Sequence, residues 1–187
     1  TVIVTSRERQ KATELAKCLP SDGHCAIEFS QGELESIPDF LEAVIEEVGQ
    51  IDILINNAYG GTAPDIDKAT AEDFNQAYHV GVTSYFLLAR DVAKHLQQRQ
   101  TAGSIINIAS MYGVVASYPS AYENLPINSP PNYHALKGGI VHLTRHLAAY
   151  WAQDNILVNA ISPGPFPKPT VSQQLPGFIA KLEEKVP

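Results

Sequence analysis

Short apolar runs alternate with amphipathic stretches along the whole chain. Thr1-Val2-Ile3-Val4-Thr5 reads as a strand, and Glu8 to Leu19 follows with helical spacing. His24 to Phe29 reads as a second strand. Ile37 to Val48 is an amphipathic helix with Glu42, Glu46 and Glu47 on its solvated side. Ile51-Asp52-Ile53-Leu54-Ile55 is a buried strand that ends in the polar turn Asn56-Asn57-Ala58-Tyr59-Gly60-Gly61. A long helix is expected over Ala71 to Gln98, where Phe74, Tyr78, Tyr85, Leu88 and Val92 fall near helical spacing. Gly103 to Ala109 is a further buried strand with Ser110 at its carboxyl end. A loop rich in Pro, Ser, Asn and Tyr leads to a helix from Tyr133 to Ala152, which carries Ile140, Leu143, Leu147 and Tyr150 on one stripe. Ile156 to Ile161 is the last strand, closed by Ser162-Pro163-Gly164.

Helices that alternate with short apolar strands imply a parallel sheet covered on both faces, a three-layer α/β/α arrangement. Ligands bind such sheets at the carboxyl ends of the strands. Asn56, Asn57, Ser110, Pro163 and Gly164 all fall there, so the candidate chemistry converges on one edge. The 187 residues suit a single domain, with no linker and no internal repeat.

Composition narrows the function classes. Hydrophobic residues make up 44% of the chain and charged ones 18%, as in a globular core. A net charge of -7 argues against nucleic acid or an anionic membrane surface as partner. No apolar run approaches the roughly 20 residues of a membrane span, and no secretory pattern opens the sequence. Cys18 and Cys25 have no metal-type company and read as reduced thiols. A cytoplasmic location is the default expectation. His79, His95, His134, His142 and His146 are not grouped with carboxylates, so no metal site is expected.

The run Tyr133-His134-Ala135-Leu136-Lys137 carries the sharpest chemistry. Residues four apart share a helix face, which places an ammonium beside a phenol. A free phenol titrates at about 10, and a nearby cation favours its ionised form. The pair then suits proton transfer in a carbonyl/alcohol interconversion. By itself the spacing also fits an ordinary half-exposed helix face.

Taken together, Asn56-Asn57-Ala58-Tyr59-Gly60, Ser110, Tyr133-x-x-x-Lys137 and Pro163-Gly164 resemble the short-chain dehydrogenase/reductases, in the same order and from the first residue to the last. Ser110-Met111-Tyr112-Gly113-Val114-Val115 and Ile161-Ser162-Pro163-Gly164-Pro165-Phe166-Pro167 bring the chain nearest the gluconate 5-dehydrogenase-like and related sugar-acid members. The resemblance implies a Rossmann-like, doubly wound parallel sheet. It implies an NAD(P)-dependent oxidoreductase acting on a carbonyl or secondary alcohol, with sugar acids or polyols as substrates. Tyr133 would be the general acid or base, Lys137 would lower its pKa and bond the nicotinamide ribose, and Ser110 would hold the substrate oxygen. Asn56 and Ala58 would line the cofactor cleft, and Pro163 and Gly164 would border the nicotinamide. Ser6 and Arg7 end the strand where the adenosine ribose would lie. An arginine there accommodates the 2'-phosphate of NADP, so NADP is expected over NAD. The resemblance also implies a homodimer or homotetramer built on the two long helices.

Three departures qualify these expectations. In the family a first strand with a glycine-rich, pyrophosphate-binding turn precedes the strand that opens this sequence, and a helix and strand follow its end. The chain reads as lacking both, and the isolated polypeptide as poorly stable. Gly81 stands where many relatives carry an asparagine that supports a proton-relay water. A non-catalytic fold or partner-binding module is therefore the second reading. An epimerase or dehydratase, which shares Tyr-x-x-x-Lys, fits the Asn-Asn-Ala turn less well.

Overall fold

The computed structural model describes residues 1–60, 65–167 and 169–185. Gly61 of the Asn-Asn turn lies outside the described residues, as do Val186 and Pro187. The elements run β1 (Ile3–Ser6), α1 (Arg9–Lys17), β2 (Cys25–Glu28), α2 (Ile37–Val48) and β3 (Ile53–Asn56). They continue with α3 (Ala71–Tyr78), α4 (Ser84–Arg99), β4 (Gly103–Ile108), α5 (Pro119–Tyr122) and α6 (Pro131–Trp151). β5 (Ile156–Ile161), α7 (Pro169–Gln174) and α8 (Pro176–Glu183) complete the chain.

Local chemistry sets the helix ends. Pro38 occupies the first turn of α2, where its missing N–H costs nothing, and Gly49 ends the helix at φ 80°. Thr70 and Asp73 form a reciprocal capping box on α3: Asp73 N donates to Thr70 Oγ1 at 3.2 Å, and Thr70 N donates to Asp73 Oδ2 at 2.8 Å.

The long helix expected from Ala71 onward is not continuous. A π-helical turn, His79–Thr83, separates α3 from α4. Gly81, inside that turn, is buried against α6, and a Cβ there would collide with Leu136 Cδ1. The glycine at the position expected for a relay asparagine is thus a close-approach residue.

All strand pairings are parallel. β1 pairs with β2, with Ile3 opposite Cys25. β3, β4 and β5 form a second sheet in that order, with Leu54 opposite Ile105 and Ile105 opposite Val158. Helices α4 and α6 pack on that sheet, and their contact supplies the main core. Leu88, Val92, Leu96, Ile105, Ile156 and Val158 are buried there together, with Ile37 and Leu41 of α2 and Trp151 of α6. A smaller cluster of Ala77, Tyr85, Ala109, Leu136 and Ile140 underlies the carboxyl ends of the strands. The opposite sheet face leaves Ile53 (60%), Ile55 (60%), Leu157 (64%) and Ile161 (51%) exposed.

Candidate active site

β4 ends at Ile108, and Ser110 begins a tight turn, Met111–Gly113, that packs on α6. Ser110 Oγ accepts from Tyr112 N at 3.2 Å, which fixes the turn. At Gly113 an added Cβ would lie 2.5 Å from the Lys137 carbonyl oxygen, so only glycine lets the turn approach this closely. The approach sets the Ser110 hydroxyl beside the Tyr133 phenol. Met111 N donates to Pro163 O at 3.0 Å and ties the segment after β5 to the same turn. Gly164 follows on the surface with open space around it.

Lys137 is 2% exposed, and its ammonium donates to Ile108 O at 2.7 Å. Its Nζ lies 5.7 Å from the centre of the Tyr133 ring and 5.1 Å from that of Tyr59. The Tyr59 and Tyr133 rings are tilted on each other at 5.4 Å. Burial lowers the Lys137 pKa to about 8.

The expected lowering of the Tyr133 pKa is not what the geometry gives. Burial pushes the phenol up, the nearby Ser110 hydroxyl pulls it down, and the neighbouring Tyr59 and Tyr122 phenols add to the rise. The Lys137 ammonium lies 5.7 Å from the centre of the Tyr133 ring and makes its hydrogen bond to Ile108 O. The Ser110 hydroxyl is the neighbour that favours the phenolate here.

Asn56 also departs from its expected place. It is 1% exposed, and its Nδ2 donates to Asn107 Oδ1 at 2.9 Å, turned into the protein rather than toward a cleft. Asn107 Nδ2 in turn donates to Thr144 Oγ1 at 2.9 Å, and Thr144 donates to Ile140 O at 2.8 Å. This buried chain joins β3, β4 and α6 beneath the site. The sequence hinted at it only through polar residues at core-facing strand positions. Ala58 remains exposed at the turn after β3. Ser6 Oγ accepts from Glu8 N at 3.3 Å, and Arg7 is exposed at the end of β1, with no ion-pair partner among the described residues.

A second aromatic group, unforeseen from the sequence, walls the site. Tyr112 and Tyr122 share a hydroxyl–hydroxyl hydrogen bond of 2.8 Å. The His134 ring stacks on Tyr112 at 4.6 Å and bonds Ser129 Oγ at 2.7 Å. Phe178 of α8 packs on Tyr122 at 5.3 Å, and Lys181 Nζ donates to the carbonyl oxygens of Ser120 and Glu123 at 3.0 and 3.1 Å. The loop before α6 is thus a structured wall closed by α5 and α8. Among the described residues no cluster of His, Cys, Asp or Glu is placed to hold a metal, and no helix is long and apolar enough to cross a membrane.

The chain resembles known proteins in sequence and in fold. The sequence profile of the family described as short chain dehydrogenase matches residues 1–176. A 7alpha-hydroxysteroid dehydrogenase of Bacteroides fragilis is 29% identical over 97% of this chain and 68% of its own length. A 2-dehydro-3-deoxy-D-gluconate 5-dehydrogenase of Escherichia coli is 35% identical over 71% of this chain and 48% of its own. The solved structure of a 3-ketoacyl-(acyl-carrier-protein) reductase from Brucella melitensis, complexed with NADH, superposes with a TM-score of 0.72 at 25% identity. It is matched over 87% of this chain and 64% of that one. The chain therefore spans from about half to about two thirds of the length of these proteins. The fold is the Rossmann-like α/β arrangement with parallel strands and flanking helices, and the chain belongs to the short-chain dehydrogenase family.

Proposed function

We propose that this chain carries the proton-transfer centre of a nicotinamide-dependent oxidoreductase that interconverts a carbonyl and a secondary alcohol. The observation that carries the reading is the convergence of Ser110, Tyr133 and Lys137 from β4 and α6 on one edge of the sheet. The residues present fit a nicotinamide dinucleotide. Among the described residues Lys137 donates to one acceptor, Ile108 O, so further N–H groups are left for a ribose hydroxyl. Gly164 leaves open space beside the turn, and Ala58 is exposed after β3. The bound cofactor supplies or accepts the hydride. Tyr133 donates its proton to the substrate oxygen in reduction and takes it back in oxidation. Ser110 holds the substrate oxygen and, through the phenol, eases proton loss. Lys137 orients the cofactor ribose and keeps positive charge at the site.

NADP is the preferred dinucleotide in this reading. Arg7 is exposed at the end of β1 and free to meet a 2'-phosphate. Sugar acids or polyols are the proposed substrates, supported by the 35% identity to the gluconate dehydrogenase. The aromatic wall of Tyr59, Tyr112 and Tyr122 favours a second class, flat alicyclic alcohols. Self-association is part of the reading, and the half-exposed Phe86 (38%) and the Tyr150 side chain (71%) offer apolar contact on α4 and α6.

The test is a fluorescence titration of the purified chain with NADPH and NADH, followed by turnover on a gluconate-type ketone and on an alicyclic ketone. The expected result is saturable binding, tighter for NADPH, with the preference removed by Arg7→Ala. Tyr133→Phe is expected to leave binding intact and reduce turnover by about 10²-fold or more. A folded chain that binds neither nucleotide would sink the reading for this polypeptide and leave a non-catalytic fold module.

A further inference from the structure

A buried ammonium needs partners, and Lys137 has few. Lys137 is 2% exposed, and among the described residues it makes one hydrogen bond, to Ile108 O at 2.7 Å. None of the ion pairs among the described residues includes it. The surrounding elements bring phenols to this region: Tyr133 on its own helix, Tyr59 after β3, Tyr78 on α3, Tyr85 on α4 and Tyr112 after β4, while Asp73 of α3 is engaged by Thr70 and Asp91 of α4 by Arg90. The hydroxyl of Tyr78 donates to Ala135 O at 3.2 Å, and Tyr112 is bonded to Tyr122. His79 is bonded to Gly32 O at 2.8 Å, and His134 is stacked on Tyr112. Among the described residues no carboxylate pairs with Lys137 to offset the cost of burying the charge.

Tyr59 is placed to do so. Its ring centre lies 5.1 Å from Lys137 Nζ, closer than that of Tyr133 at 5.7 Å. That is within the range in which the negative face of an aromatic ring attracts a cation, and the attraction strengthens when water is excluded. The ring itself is 52% exposed and is held by its contact with Tyr133 rather than by core packing. An exposed tyrosine in a turn otherwise made of Asn, Ala and Gly has no packing reason to be large.

We propose that Tyr59 is a positioning residue for Lys137, its ring face holding the buried ammonium charged and in place between the two phenols in lieu of a counter-ion. The proposal rests on the reading of Tyr133 and Lys137 as the site's working pair only for its consequence, since the contact itself is readable without turnover. Its consequence is that the cation beside Tyr133 persists at working pH although burial lowers its pKa. The hydroxyl of Tyr59 plays no part in this role; the ring does.

The experiment is an NMR titration of the chain carrying 13Cε-labelled lysine, with the Lys137 signal assigned by its loss in Lys137→Met. Tyr59→Phe is expected to titrate like the parent. Tyr59→Leu is expected to titrate about one pH unit lower, a tenfold change in the ionisation constant, with circular dichroism and the melting temperature unchanged. An unshifted Lys137 in Tyr59→Leu would overturn the proposal. A shift of equal size in Tyr59→Phe would also overturn it, by assigning the effect to the hydroxyl. If Tyr59→Leu fails to fold, Tyr59→Trp gives a second arm, in which a larger ring is expected to raise the Lys137 pKa, and no rise would count against the proposal. A chain that shows the Tyr59-dependent shift but binds neither NADPH nor NADH would keep this contact and sink the proposed function instead.

Discussion

Asn107 is the residue on which the interior of the site turns. It accepts from Asn56 and donates to Thr144, so one side chain satisfies polar groups from β3 and α6 within a sheet core. Removing one member of a buried network leaves its partners unsatisfied, at about 1–3 kcal/mol for each group stranded. Asn107→Ala is therefore expected to cost about 2–4 kcal/mol of unfolding free energy in a urea titration, counting the stranded Asn56 amide and the small cavity. Thr144→Val, which strands only one amide hydrogen of Asn107, is expected to cost about 1–2 kcal/mol. Equal and negligible losses would show that the chain of amides is incidental. Sequence reading found Asn56 through its turn context and assigned it to a cleft, because a turn asparagine next to a binding edge has that use. It had no means to see Asn107: a hydrogen bond between residues 51 apart in sequence follows from strand pairing, and strand order is not written in local periodicity. Ser110, Tyr133 and Lys137 were legible for the opposite reason, since each sits at a place fixed by its own element.

At the scale of elements, periodicity located nearly every helix and strand, and it failed where tertiary contact overrides local preference. The stretch from Ala71 to Gln98 has helical spacing throughout, yet the structure inserts a π turn at His79–Thr83. The cause lies on another helix: Leu136 of α6 occupies the volume that any side chain at position 81 would need. Gly81→Ala is expected to overpack this crossing and lower stability by about 1–3 kcal/mol. The coupled change Leu136→Ala should relieve that clash, so the double variant is expected to be more stable than the sum of the single costs predicts by at least about 0.5 kcal/mol. Strict additivity in a denaturant-based double-mutant cycle would rule out the crossing as the cause. α5, α7 and α8 were not foreseen. They span 4, 6 and 8 residues, too short for a periodic signal, and α8 depends on contact with Tyr122 and α5.

For the whole molecule the decisive feature is that the strands form two sheets with open edges on one groove. Val2 O accepts from Cys25 N at 3.0 Å and Ser6 O from Phe29 N at 2.9 Å, so the even-numbered residues of β1 turn their backbone toward β2. Asp52 O accepts from Ser104 N at 3.0 Å, so the even-numbered residues of β3 turn toward β4. By the alternation of a parallel ladder, Ile3, Thr5, Ile53 and Ile55 present their N–H and C=O groups to the groove. That groove encloses about 380 Å³ and is lined by Phe29, Phe40, Leu41, Val44 and Leu88 together with both edges. Unpaired backbone beside apolar walls is poorly solvated and poorly satisfied, which lowers stability and invites pairing with other chains. Hydrogen exchange should read this directly. The amides of Thr5 and Ile55 are expected to exchange at least about 10²-fold faster than those of Leu54 and Asn56, which face β4, because exchange at an open edge needs no global unfolding. Mixing with a large excess of an extended apolar peptide should then protect Thr5 and Ile55 together, as both border the same groove. Uniform protection along β3 in the isolated chain would mean that the two sheets close on each other in solution and that the edges are not open.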